Sequence, residues 1–217
     1  MNSTLSISLK DSWTNSSVSV RSIPKAAPLF NSEAAWRDPS ANAFYVWGGT
    51  TAYFAQPAAI GLWKFTADGV GGGSWSSVTP SNIVSFSSLV RSGTAAWTQS
   101  KNVGYYMGGV ATYQTDTSIS SDTYLALPGI LAYDMTTGSF TNSSTVGFGS
   151  LGTLIGGSVE FVPFGKEGLL LFLGGSQAPQ VTNYGGGREV DFANLTIYDP
   201  AGRTEHKKIC AEETADD

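Results

Sequence analysis

Side chains able to do chemistry are scarce in this chain. It holds one histidine, His206, and one cysteine, Cys210. Standing at i and i+4 they could share a helix face, but two ligands do not complete a metal site. No histidine lies among the many serines upstream of residue 206, so none of them has a base for nucleophilic catalysis. GVGGGSW (Gly69–Trp75) and YGGGRE (Tyr184–Glu189) invite a phosphate-loop reading. Neither ends in Gly-Lys-Ser/Thr or leads from a strand into a helix, so nucleotide binding is not expected. Asp116, Asp122, Glu189 and Asp191 are the candidate carboxylates, and their spacing along the chain does not set the separation that glycoside hydrolysis requires. No cofactor is expected.

Composition narrows the class further. The 217 residues include 26 glycines and 12% aromatics but only 13% charged residues, which points to β-structure with many turns. The net charge is −5, and no basic cluster interleaved with aromatics offers nucleic acid an electrostatic footprint. A single cysteine excludes an intrachain disulfide. The longest apolar run, Leu169–Leu173, is too short to span a bilayer, and no secretory signal opens the chain. Four Asn-x-Ser/Thr sequons, at Asn2, Asn15, Asn142 and Asn194, are either chance in a Ser/Thr-rich chain or acceptors pointing to an extracellular or cell-surface parent.

The elements that must position any site repeat along the chain. An aromatic (Trp36, Trp97, Phe161) precedes a strand-like run that ends in a glycine pair: Gly48-Gly49, Gly108-Gly109 and Gly174-Gly175. The aromatic leads the first glycine by 12, 11 and 13 residues, and the pairs stand 60 and 66 residues apart, a period that signals a repeat architecture. Each unit continues through a loop into further β-rich runs split by turns, four strands per unit. Leu5–Leu9, a polar turn and Trp13 match the last two strands of another unit.

These features resemble the kelch motif. The residues that carry the resemblance are the glycine pairs, Tyr133-Asp134 and Tyr198-Asp199, the aromatics Trp75 and Phe140, and Arg91-Ser92-Gly93. More narrowly, the chain resembles secreted or surface-anchored fungal kelch proteins. The resemblance implies an all-β fold, a partial kelch β-propeller of about three to three and a half four-stranded antiparallel blades. A half blade is expected at 1–24 and blades at about 34–79, 93–143 and 157–202, with 203–217 a charged tail, disordered or non-native. Open blade edges would favour self-association. Galactose oxidase shares this propeller, but its copper site needs two histidines, and this chain has one.

Function is therefore expected from the loops. In an up-and-down blade, the connections between strands two and three share one end with those between blades. Both sets are long here and offer Tyr53, Phe54, Arg91, Tyr113, Tyr124, Tyr184 and Arg188, residue types favoured in recognition. The leading expectation is a non-enzymatic scaffold binding a protein or carbohydrate. The alternatives are a fragment of a galactose-oxidase-like oxidoreductase and a structural cell-surface ectodomain.

Overall fold

The computed structural model describes residues 3–10, 12–53, 55–58, 61–82, 93–145, 147–149, 151–177, 188–202 and 204–209. Among them every regular element is a β-strand. In chain order the strands are β1 (Ser3–Ile7), β2 (Val20–Pro24), β3 (Ala34–Asp38), β4 (Ala43–Trp47), β5 (Leu62–Ala67) and β6 (Gly73–Val78). Then follow β7 (Ala96–Ser100), β8 (Val103–Met107), β9 (Val110–Ala111), β10 (Leu125–Ala126), β11 (Ile130–Asp134) and β12 (Ser139–Ser143). The last six are β13 (Ser158–Val162), β14 (Leu169–Leu173), β15 (Ser176–Gln177), β16 (Arg188–Glu189), β17 (Asn194–Asp199) and β18 (Thr204–Ile209).

Three antiparallel four-stranded sheets form the blades: β3-β4-β5-β6, β7-β8-β11-β12 and β13-β14-β17-β18. Their first strands lie side by side, β7 next to both β3 and β13. The pair β1-β2 precedes them, with β2 beside β6. The fold is a partial β-propeller.

Four sequence expectations change. The third blade does not stop at residue 202: Thr204–Ile209, assigned above to a charged tail, is its fourth strand, paired along β17 from Asp199↔Thr204 to Asn194↔Ile209. An outermost strand is held by backbone bonds to one neighbour, so a polar run can serve. In the half blade the strands are 3–7 and 20–24, not Leu5–Leu9 and a run led by Trp13. Trp13 leads no strand: it lies in the connection between them and is about half exposed.

The fourth change concerns the leading aromatics. Trp36, Trp97 and Phe161 all lie on first strands, but they are the third, second and fourth residues of β3, β7 and β13. Strand side chains alternate faces, so a one-residue offset points the ring to the other side. Trp36 is fully buried, whereas Trp97 is 40% exposed.

The core lies between blades. At the first junction Trp36, Tyr45 and Trp47 pack with Tyr106, Leu131, Tyr133 and Phe140. Trp36 stacks on Tyr133 at 6.2 Å, and its indole covers Gly104 so closely that a side chain there would overlap it. At the second junction Tyr105, Met107, Ile130, Leu170, Phe172 and Tyr198 form the corresponding cluster. Pairing register makes Thr98 the counterpart of Trp36, and Leu170 the counterpart of Gly104. Large opposite small at one junction becomes small opposite large at the next, as close packing demands.

Two carboxamides occupy strand edges. Gln99 accepts from Arg37 N at 2.6 Å and donates to Arg37 O at 2.5 Å, tying β7 to the inner edge of β3. Asn82 donates to Phe140 O at 2.7 Å and accepts from Phe140 N at 3.0 Å, covering the outer edge of β12. Each side chain supplies what a further strand would supply.

Candidate functional site at the long-loop end

Strand two of each blade runs to the end of the molecule where strand three begins and where the next blade is entered. One device builds that end three times. Both glycines of each pair have positive φ, between 63° and 87°. The next residue then makes a two-bond bridge to the segment before strand one: Asn31↔Thr50, Gly93↔Val110 and Ile155↔Ser176. The residue after each bridge is left-handed: Ser32 (φ 57°), Thr94 (φ 55°) and Gly156 (φ 69°). Only the third is a glycine, so sequence reading passed over this position.

Beyond the bridges, the loop that follows Thr50 is latched to the loop of blade two. Thr51 N donates to Gln114 O at 3.0 Å, and Gln114 Nε2 donates to Thr51 O at 3.0 Å. Thr51 Oγ1 lies 3.0 Å from Ala55 O and 3.1 Å from Gln114 O. Gln56 Nε2 donates to Tyr113 Oη at 3.4 Å. The buried Thr115 closes its own turn, accepting from Thr112 N at 2.9 Å. The blade-two loop is clasped at its base by β9–β10, and the blade-three loop by β15–β16.

This latch brings Tyr53 and Tyr113 onto adjoining loops. Tyr53 is 74% exposed and Tyr113 is half-buried. Tyr124, 42% exposed, stands at the base of the blade-two loop beside β10. Arg188 is exposed on β16, in the blade-three loop. Phe54, Arg91, Tyr184 and Asn2 lie outside the described residues. Of the other sequons, Asn15 is exposed in the β1–β2 connection, Asn142 is exposed on β12, and Asn194 opens β17. Asn142 lines a shallow cavity of about 290 Å³ with Pro128, Gly129, Ser144, Thr145 and Leu151. Thr51, Gln56 and Gln114 carry the loop geometry, and no motif marked them.

The acids after Tyr133 and Tyr198 serve the opposite end. Asp134 accepts from Thr136 N (2.8 Å), Thr137 N (3.3 Å) and Asn102 Nδ2 (3.1 Å), and Asp199 accepts from Ala201 N (2.9 Å). Tyr133 and Tyr198 are buried beside them. Burial pushes the Tyr133 hydroxyl up to about 12, and that of Tyr105 likewise.

That end also holds a charged cluster the sequence did not signal. The buried Asp38 accepts from Lys64 Nζ at 2.7 Å and from Tyr45 Oη at 3.3 Å, while Ser40 donates its N–H and hydroxyl to the other carboxylate oxygen. Burial pushes the Asp38 carboxyl up, but the bonds from Lys64 and Ser40 outweigh it and hold it down at about 2. The Asp38 bond in turn raises the Lys64 ammonium above its ordinary range. Both Asp38 oxygens have partners, so the cluster ties a turn to strand β5. Among the described residues, no three His, Cys, Asp or Glu side chains converge as metal ligands, and no helix is long and apolar enough to cross a membrane.

Comparison with solved structures supports the architecture. The chain is similar to YjhT, a kelch-like β-propeller, with a TM-score of 0.61 at 11% identity. The match covers 100% of this chain and 61% of that one. The chain therefore spans less than two thirds of its neighbour's length. No family model matches the chain, and no curated protein matches it.

Proposed function

We propose that this chain is part of a kelch-repeat recognition scaffold, non-enzymatic, that binds a protein or a carbohydrate through its long-loop end. The observation that carries this reading is the Thr51–Gln114 latch. It holds two loops from different blades against each other, with Tyr53 74% and Tyr124 42% exposed on them. A large aromatic surface on a loop fixed by backbone bonds loses little entropy on binding. Glycosylation at the exposed Asn15 and Asn142, in an extracellular or surface-anchored parent, fits the same reading.

The test is binding of the chain to a panel of immobilised oligosaccharides and extracellular proteins. Tyr53→Ala and Tyr124→Ala should each weaken binding to whichever member is retained. Phe164→Ala, an exposed ring in the turn between β13 and β14 at the other end, should leave it intact. Loss of binding through Phe164 with retention through both tyrosine variants would overturn the proposal.

A further inference from the structure

Three of the four Asn-x-Ser/Thr sequons have an aromatic ring two residues before the asparagine: Trp13 before Asn15, Phe140 before Asn142 and Phe192 before Asn194. At that spacing the two Cα atoms are at most about 7 Å apart, so the ring is within reach of a sugar carried on the amide. The structure separates the three. Phe140 is buried and packs on Trp47 and Tyr133, so its ring is committed to the first junction. Phe192 lies across Gly174, so close that a side chain there would press on it. Trp13 is 47% exposed, and among the described residues no ring, cation or hydrogen bond engages it.

Asn15 is presented in a hydrogen-bonded turn. Thr14 O accepts from Ser17 N at 3.1 Å and from Val18 N at 2.9 Å. Ser17 Oγ, the hydroxyl that completes the sequon, accepts from Thr14 N at 2.8 Å and lies 3.1 Å from Thr14 Oγ1. Asn15 itself is exposed, and its side-chain amide makes no hydrogen bond among the described residues. Substitution at Nδ2 therefore breaks nothing. The connection that carries this turn, from β1 to β2, is twelve residues long, whereas the equivalent hairpins β5–β6, β11–β12 and β17–β18 use five, four and four. Length beyond what a hairpin needs is where a rigid scaffold tends to carry function. The base of the connection lies beside the β5–β6 turn, where Ser8, Lys10 and Ser19 line one groove with Val70. That is the end away from the long loops, so a large substituent there leaves the recognition end uncovered.

We propose that Asn15 carries an N-linked oligosaccharide whose first N-acetylglucosamine rests on the indole of Trp13. The inference rests on the extracellular reading given above. The donor is an oligosaccharide held on a lipid diphosphate and delivered by the cell's transferase. Asn15 Nδ2 attacks the anomeric carbon of the sugar, and the C–N bond forms as the C–O bond to the diphosphate breaks. The lipid diphosphate leaves, one amide proton passes to a base, and nothing is oxidised or reduced. The C–H groups of the sugar ring are weakly positive and meet the negative face of the indole, while apolar area on both leaves water.

The test sends the whole chain through a glycosylating secretory pathway behind a cleavable leader, then trims each glycan to one N-acetylglucosamine. Peptide mass spectrometry should find Asn15 occupied. Proton NMR should find the protons of that sugar moved upfield by the indole ring current. The shift should vanish in Trp13→Ala and persist in Trp13→Tyr. Tm should stand about 2–4 °C above that of Asn15→Gln, and Trp13→Ala should erase this difference. An unoccupied Asn15, sugar shifts that ignore Trp13→Ala, or a glycan increment in Tm that Trp13→Ala leaves intact would each overturn the proposal. None of these outcomes bears on ligand capture by the loops of Tyr53 and Tyr124, so the scaffold reading is decided separately by its own binding panel.

Discussion

The junction between blades one and two is built from rings, and it carries the buried Asp38–Lys64–Tyr45 cluster on its blade-one side. The junction between blades two and three relies more on aliphatic chains, and Ser100 and Ala132 stand where the first blade has Asp38 and Lys64. Yet both are framed by the same glycine pair and the same two-bond bridge. Backbone devices are copied from blade to blade because they set the angle at which the next blade must dock. Side-chain volumes are free to trade across each junction so long as their sum fills the space.

The largest expected break in this comparison is Trp36→Ala, which should cost about 3–5 kcal/mol, against about 1 kcal/mol for Thr98→Ala. Urea unfolding measures both, and equal losses would mean that the two junctions do not differ in this way. Next comes Gly48→Val, expected to cost roughly 2–4 kcal/mol. Gly48 has φ 80°, and an added side chain would strike the Tyr106 ring of the next blade, so a β-branched residue is strained twice. Unchanged thermal stability would remove the glycine pair from the shared frame.

Acid should act on the first junction alone. The Asp38 pKa is lower in the folded chain, about 2 against 3.8. The stability it confers is therefore present above pH 3.8 and is lost as pH falls through 2. Its size is on the order of 2 kcal/mol. Asp38→Asn should flatten that part of the acid limb, and an unaltered limb would show that the cluster carries no linkage. A smaller effect, about 1 kcal/mol, is expected of Asn82→Ala, which exposes the edge of β12. Sedimentation should then show new self-association. The smallest is Tyr124→Ala, expected within about 0.5 kcal/mol of the parent in stability while weakening ligand capture at the long-loop end.

Much of this architecture was legible because it repeats. One glycine pair before a loop could be any turn, but three with matching companions define blades and say where the long loops lie. Other features escaped for physical reasons. Strand β18 is polar, and no aromatic announces it. The turns between first and second strands hold four, two and six residues, which shifted the apparent alignment of Trp36, Trp97 and Phe161. Asp38 and Lys64 are 26 residues apart and belong to no motif, so nothing local marks them as partners. Thr51 and Gln114 are 63 residues apart and meet only because two blades dock.

By itself, then, the sequence determined the class of fold, the repeat of its blades and the glycine pairs that end their second strands, because local backbone geometry and repeated pattern are written in adjacent residues. Which face each aromatic takes, which charges pair and which loops latch were decided only by the tertiary structure. Those outcomes depend on distances between blades, and such distances exist only once the blades have packed.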